Sequence, residues 1–417
     1  MEKYKEYKSS SMQWLKEIPS HWEEKKIASL FRERRTKVSD KDYQPLSVSK
    51  IGITPQLESA VKTDNGDNRK LVLKGDFVVN SRSDRKGSCG VSALDGSVSL
   101  INIVLCPHKQ INGSYFHYLA RSNNYIEEYY RLGRGIVADL WTTRYSELKG
   151  MVIPLPPLPE QEKIVNYIEN KTSKIDAYIA EKEKEVQLLH ELKESDLAKV
   201  VTRGLDPDVK MKEYTSLISP LCPEHWKIVR NKSFLSLTGE KVGSRANDYI
   251  LLSLTTKGVI VRDVESGKGK FPKDFDTYQF VKKDDLVFCL FDIDETPRTV
   301  GLVETEGMLT GAYTALKVNK EMALPEYIYN YYLCVDNVKA LKPFYSGLRK
   351  TVRADKFLQI YMPLPSLEEQ REIVEYINEK CDKINSLVSE LESEISYLKE
   401  YKQRLIADCV TGQIKVF

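Results

Sequence analysis

PLPPLPEQEKIVNYIENKTSKID, residues 154–176, returns as PLPSLEEQREIVEYINEKCDKIN, residues 363–385. The two stretches lie 209 residues apart, and the register holds without a gap as far as Val201–Thr202 and Val410–Thr411. Gln161 matches Gln370, Tyr167–Ile168 match Tyr376–Ile377, and Lys174–Ile175 match Lys383–Ile384. A self-match of this length is the mark of a duplicated architecture.

Working outward, a second pair of landmarks opens each copy. IPSHW (Ile18–Trp22) resembles CPEHW (Cys222–Trp226), with KEYKS from Lys5 and KEYTS from Lys212 just upstream. Between Trp and the proline-rich stretch the copies diverge almost completely. A strand-like run, KGDFVV at Lys74 and KDDLVF at Lys283, keeps the offset of 209. The expected fold class is therefore α+β, with two mixed α/β domains alternating with two long helices in an internal repeat. The expected boundaries are a first domain over 1–153 and a central helical region over 154–210. A second domain over 211–362 and a C-terminal helical region over 363–417 complete the chain.

The helical regions carry heptads. Ile377, Ile384, Leu391, Leu398 and Leu405 recur every seven residues, with Cys381, Val388 and Ile395 between them. In the first copy Ile168, Ile175, Ile179, Val186 and Leu189 keep the seam, while Thr172, Lys182, Lys193 and Asp196 interrupt it. This is the pattern of helices that pair along an apolar stripe. Two similar helices in one chain favour pairing with each other. Proline precedes each helix and glycine follows it, at Gly204 and Gly412, as helix ends prefer.

Composition excludes more than it assigns. The net charge of +3 announces no global basic field, so a nucleic-acid reader would have to concentrate its basic residues locally. Seven scattered cysteines without a CxxC pair argue against a disulfide framework and for a reducing cytoplasm. No apolar run is long enough to span a membrane. There is no phosphate-binding GxxxxGK[ST] loop, no Asn/Asp-Pro-Pro-aromatic tetrapeptide and no complete GxGxxG. Asp284–Asp285 lacks the companions of a nuclease site, and His21 and His225, each before Trp, read as packing residues. No catalytic residue and no metal ligand is expected in this chain.

Two diverged domains alternating with two similar helices, IPSHW and CPEHW, the duplicated Pro-Leu-x-x-Leu-x-Glu-Gln stretch, VTRGLDPDVKMKEY at Val201 and VTGQI at Val410 together resemble the specificity subunits of type I restriction–modification systems. The resemblance spans roughly the whole chain. It implies that each variable domain is a target recognition domain reading one half of a bipartite double-stranded DNA site. The helices would run antiparallel as a coiled coil, set the distance between half-sites and dock two methyltransferase subunits. Restriction–translocase subunits would join for cleavage. S-adenosylmethionine, ATP and Mg would serve those partners, with no cofactor on this chain. The near-circular repeat fits a pseudo-two-fold arrangement in which the N-terminal segment completes what the C-terminus begins.

Candidate DNA contacts lie in polar, glycine-punctuated loops. They are Arg82, Arg85 and Lys86 (NSRSDRKGSCG), Arg134 (RLGRG) and Arg144 (WTTRY) in the first domain. In the second they are Arg298 (DETPRTVG) and Arg349, Lys350 and Arg353 (YSGLRKTVR). Arginine reads guanine edges bidentately, and glycine beside it lets the backbone approach phosphate. Arg144 and Arg353 again lie 209 apart. The Glu-Gln pairs, Glu160–Gln161 and Glu369–Gln370, read equally as helix-capping chemistry or as a docking surface. Three other readings stay open: the recognition partner of a solitary adenine methyltransferase, a coiled-coil scaffold without a DNA role, and a divergent nuclease.

Overall fold

A computed structural model describes residues 2–56, 66–136, 141–214, 217–262, 275, 277–347 and 350–417. The chain forms two compact units, one built from residues 1–183 with 392–417 and the other from 184–391. Each contains a variable domain, the start of the long helix that follows it, and the end of the other long helix.

The long helices are Leu158–Arg203 and Leu367–Val410. Gly204 and Gly412 both stand at φ +74°, the left-handed conformation that ends a helix and that residues with a Cβ resist. In the first unit the helices run antiparallel, since Lys402 pairs with Asp176 at 2.6 Å and Lys399 with Glu183 at 2.9 Å. In the second, Lys193 donates to Asn385 at 2.9 Å, and Leu197, Val200 and Val201 share a core with Ile373 and Ile377. Ile168, Ile179, Ile377, Ile384, Val388, Leu391, Ile395 and Leu405 are buried, and Ile175, Val186, Leu189 and Leu398 half-buried. Polar residues along the helices also pair across the seam. Lys182 lies 3.6 Å from Glu394, and Lys402 holds Asp176.

Each variable domain centres on an antiparallel four-stranded sheet. In the first unit the order is Cys89–Val91, Phe77–Asn80, Asn102–Pro107, Phe31–Glu33. In the second it is Val300–Leu302, Leu286–Phe288, Thr314–Val318, Leu235–Leu237, the same sheet strand for strand. Alternation sorts the side chains. Phe77 and Val79 join the main core, while Val78 faces a second cluster with Leu46, Val72, Val98 and Val104. In the second unit Leu286 and Phe288 take the first role and Val287 the second. Trp22 and Trp226, both fully buried, anchor the main cores against the long helices.

Three local features shape the domains. The run Leu71–Asn80 is two strands, Arg69–Val72 and Phe77–Asn80, because Gly75 at φ +91° turns the chain between them. The tyrosine-rich segment from Ser114 is two helices, Gly113–Ala120 and Asn123–Arg131, whereas its counterpart is continuous over Pro325–Asn337. The proline-rich stretch is tied into each domain by strand pairing. Val152–Leu155 pairs with Glu23–Lys26, and Tyr361–Leu364 with Lys227–Arg230. Pro154 and Pro363 therefore sit inside two-stranded ribbons, where every strand is an edge and a missing N–H is tolerated.

Candidate nucleic-acid interface

The duplicated Trp, Glu and Gln form a clamp at the foot of each variable domain. In the first unit the Trp22 indole N–H donates to Glu160 Oε1 at 2.9 Å, and His21 Nε2 lies 2.8 Å from Oε2. In the second, Trp226 donates to Glu369 at 2.9 Å and His225 lies 3.0 Å away. Tyr4 adds its hydroxyl to Glu160 at 2.6 Å, and burial together with that carboxylate pushes its phenol well up. Gln161 and Gln370 are fully buried. Gln161 accepts from Asn112 N at 2.8 Å and donates to the carbonyls of Pro156 and Gln110. Gln370 repeats this with Leu324 N, Pro365 and Met322. Glu160, Gln161 and Gln370 are buried and Glu369 half-buried, and both Glu-Gln pairs join helix start to domain.

This makes a stability prediction. Gln370→Leu removes three hydrogen bonds and leaves a buried N–H and two carbonyls without partners, at a cost of about 3 kcal/mol. Amide hydrogen exchange should quicken through residues 184–391 and stay unchanged in the 1–183 domain. A loss below about 1 kcal/mol would mean that the amide joins nothing essential.

Above the clamp, three separated segments are stitched together. In the first unit Thr142 bridges both Arg82 and Arg134, and Thr143 N donates to Ser81 O at 3.0 Å. In the second, Thr351 bridges Phe291 and Ser346, and Val352 N donates to Leu290 O at 2.7 Å. Thr142 and Thr351, and likewise Arg82 and Phe291, are 209 residues apart. The backbone frame is conserved between the two copies while its side chains differ.

The first unit gathers its candidates on this frame. Arg82, Arg85 and Arg144 are exposed, and the Arg134 side chain is 84% exposed with Glu147 at 3.9 Å. Lys86 pairs with Glu127 at 3.0 Å and lies 3.8 Å over the Tyr130 ring. Beneath them Tyr125, Tyr129, Tyr130 and Trp141 line a cavity of about 20 Å³, room for one water. The aromatic floor is therefore packed beneath the loop. Gly133 is needed here, because a Cβ would come within 2.2 Å of the Trp141 indole nitrogen.

The second unit differs in charge. Its loop carries Asp294 and Glu295, which hold Lys350 at 3.3 and 3.1 Å, and Lys350 itself stands at φ +44°. Arg353 is exposed beside Asp355 at 3.0 Å. Arg298 is drawn into the fold. Its guanidinium lies 3.3 Å from the buried Asp336, which also accepts from Thr299 and Lys339. A buried carboxylate needs such partners, so Arg298 ties its loop to the helix that carries Asp336. Arg349 lies outside the described residues. Sequence reading passed over Trp141, Phe291 and the bridging threonines. The repeat-matched WTTR and KTVR, which share Thr and Arg at the same offset, were the available signal. Among the described residues no group of three or more His, Cys, Asp or Glu could hold a metal ion, and no helix is long and apolar enough to cross a membrane.

The duplicated frame defines a class, a pair of like domains carried on paired helices, and comparison with known proteins gives it a family. The type I restriction modification DNA specificity domain matches twice, at residues 19–188 and 223–397, and the chain belongs to that family. The putative type I restriction enzyme MjaX specificity subunit of Methanocaldococcus jannaschii is 24% identical over 96% of this chain and 95% of its own length. The EcoBI specificity subunit of Escherichia coli is 23% identical, with 64% of this chain and 59% of that protein covered. Among solved structures, a chain from work on complex assembly and conformational transition of the type I R-M system superposes with a TM-score of 0.70. It is 14% identical, with 95% of this chain and 99% of that one covered. The HsdS subunit of Thermoanaerobacter tengcongensis gives a TM-score of 0.51 at 17% identity, covering 95% and 98%.

Proposed function

We propose that this chain is the non-catalytic DNA-reading subunit of a type I restriction–modification complex, with one variable domain for each half of a bipartite site. The observation that carries the reading is the stitched frame, repeated in backbone and altered in side chains. A shared frame presents both loops alike, while Arg82, Arg85 and Lys86 in one copy against Phe291, Asp294 and Glu295 in the other cannot favour the same bases. Arg82, Arg85, Lys86, Arg134 and Arg144 are the contacts of the first domain, and Lys350 and Arg353 those of the second. Some fix register on phosphates and others reach base edges. The paired helices set the half-site distance and dock two methyltransferase subunits. Those partners flip and methylate the target adenine with S-adenosylmethionine. Restriction–translocase subunits supply ATP- and Mg-dependent cleavage, in the cytoplasm.

The test is methylation mapping in a host that expresses this chain with its methyltransferase. The expected result is adenine methylation at one two-part motif with a fixed non-specific spacer. Methylation at a single uninterrupted motif, or none above the host background, would overturn the reading.

A further inference from the structure

The two variable domains share the backbone hydrogen bonds of one turn and differ in the ion pairs around it. In the first unit Gly75 N donates to Ser92 O, Ser92 N donates to Asp76 O, and Leu73 N donates to Asp76 Oδ2 at 2.9 Å. In the second, Asp284 N donates to Val303 O, Val303 N to Asp285 O, and Lys282 N to Asp285 Oδ2 at 2.8 Å. Even the left-handed residue is kept, Gly75 at φ +91° and Asp284 at +73°. The neighbouring strand also aligns, because Arg34 N donates to Val104 O where Thr238 N donates to Ala315 O. Arg34 and Thr238 therefore occupy one position, as do Asp76 and Asp285.

In the first unit Arg34 closes on Asp76 with both arms, Nε to Oδ2 at 2.8 Å and Nη2 to Oδ1 at 3.1 Å. Thr238 cannot do this. Among the described residues no guanidinium or ammonium closes on Asp285, although that residue is only 5% exposed. Asp285 instead lines an open groove of about 740 Å³, bordered also by Thr238, Glu240, Lys282, Lys283, Lys317 and Lys320. Lys320 is engaged by Asp284 at 2.6 Å. Burial pushes the Asp285 carboxyl above its ordinary range. Lys282 and Lys317 act on it through space, but among the described residues no cation pairs with it directly, and a planar guanidinium would satisfy it bidentately.

We propose that this groove is a socket for an arginine side chain presented by a partner protein, which would occupy the place that Arg34 fills from within the first unit. The chemistry of the border narrows the occupant. Lysines around a carboxylate floor repel a bare cation but complement acidic neighbours, so the recognised element is an arginine set between acidic residues. Arginine is preferred over lysine because two parallel N–H donors match two carboxylate oxygens. The socket belongs to the second unit alone, and its occupation does not depend on DNA.

The test uses the full chain with Asp285 observed by carboxyl-carbon NMR, titrated with a blocked Glu-Arg-Glu peptide. The expected result is a saturable fall of the Asp285 midpoint by about one pH unit or more. Peptides with citrulline or lysine in place of arginine should give at most a tenth of the affinity. Thr238→Arg should show the lowered midpoint without peptide and no further response, while Thr238→Ser should respond as the natural chain does. A midpoint unmoved by the arginine peptide, an equal response to the lysine peptide, or an unlowered midpoint in Thr238→Arg would each overturn the proposal.

Discussion

A chain lengthened by one heptad in each long helix, between Glu183 and Lys184 and between Leu391 and Glu392, will leave its original DNA targets unmethylated. It will mark targets whose unchanged half-sites lie up to about three base pairs farther apart. The insertion points are where the chain passes from one compact unit to the other, so the pairs within each unit, Lys402 with Asp176 and Lys193 with Asn385, keep their partners. Seven residues add about 10 Å of helix at 1.5 Å each, and a base pair rises about 3.4 Å. A whole heptad also keeps the apolar stripe on one face. Because correct spacing is what makes the second half-site contact intramolecular, a mismatch of this size forfeits that gain, of order a hundredfold or more. Methylation mapping with the lengthened chain reads the outcome directly. Retention of the original spacing would show that the helices do not set it.

Exchange of residues 226–362 for the same segment of a relative should replace one half of the recognised motif and leave the other half and the spacing unaltered. The segment opens at Trp226 and closes at Met362, and the joins it must remake are known. Trp226 has to reach Glu369, Leu324 N has to meet Gln370, and Lys227–Arg230 has to pair with Tyr361–Leu364. A relative that supplies the same Trp and strand edge can close these joins. Each wrong base pair costs about 1–3 kcal/mol, so several changed positions abolish marking of the old site altogether. Loss or alteration of both halves at once would contradict separate reading heads.

What could be read in advance depended on whether a contact is local or repeated. The long helices show in the sequence because Ile377 through Leu405 recur every seven residues and because Val201–Thr202 and Val410–Thr411 close both copies alike. The role of Glu160–Gln161 was not legible, since a Glu-Gln pair opening a helix fits a cap or a surface equally. Only the arrival of Trp22 from 138 residues away decides it. The stitched frame was hidden for the same reason. Single bridges such as Arg82 to Thr142 leave no periodicity. Arg298 looked like a free loop arginine because its partner, Asp336, lies 38 residues on, inside a helix whose sequence advertises tyrosines. The missing ion pair at Asp285 emerged only when strands of three residues could be superposed.

The ends of the chain meet inside the first unit, where Lys415 N donates to Glu2 O at 2.8 Å and Leu405, Cys409 and Val410 complete the core around Trp22. Synthesis order is therefore the reverse of closure order. Residues 1–183 must wait, with their apolar floor uncovered, until residues 392–417 have been made, whereas the 184–391 unit has all its parts in hand beforehand. A nascent chain of this design is most exposed to aggregation and to chaperones through residues 1–183.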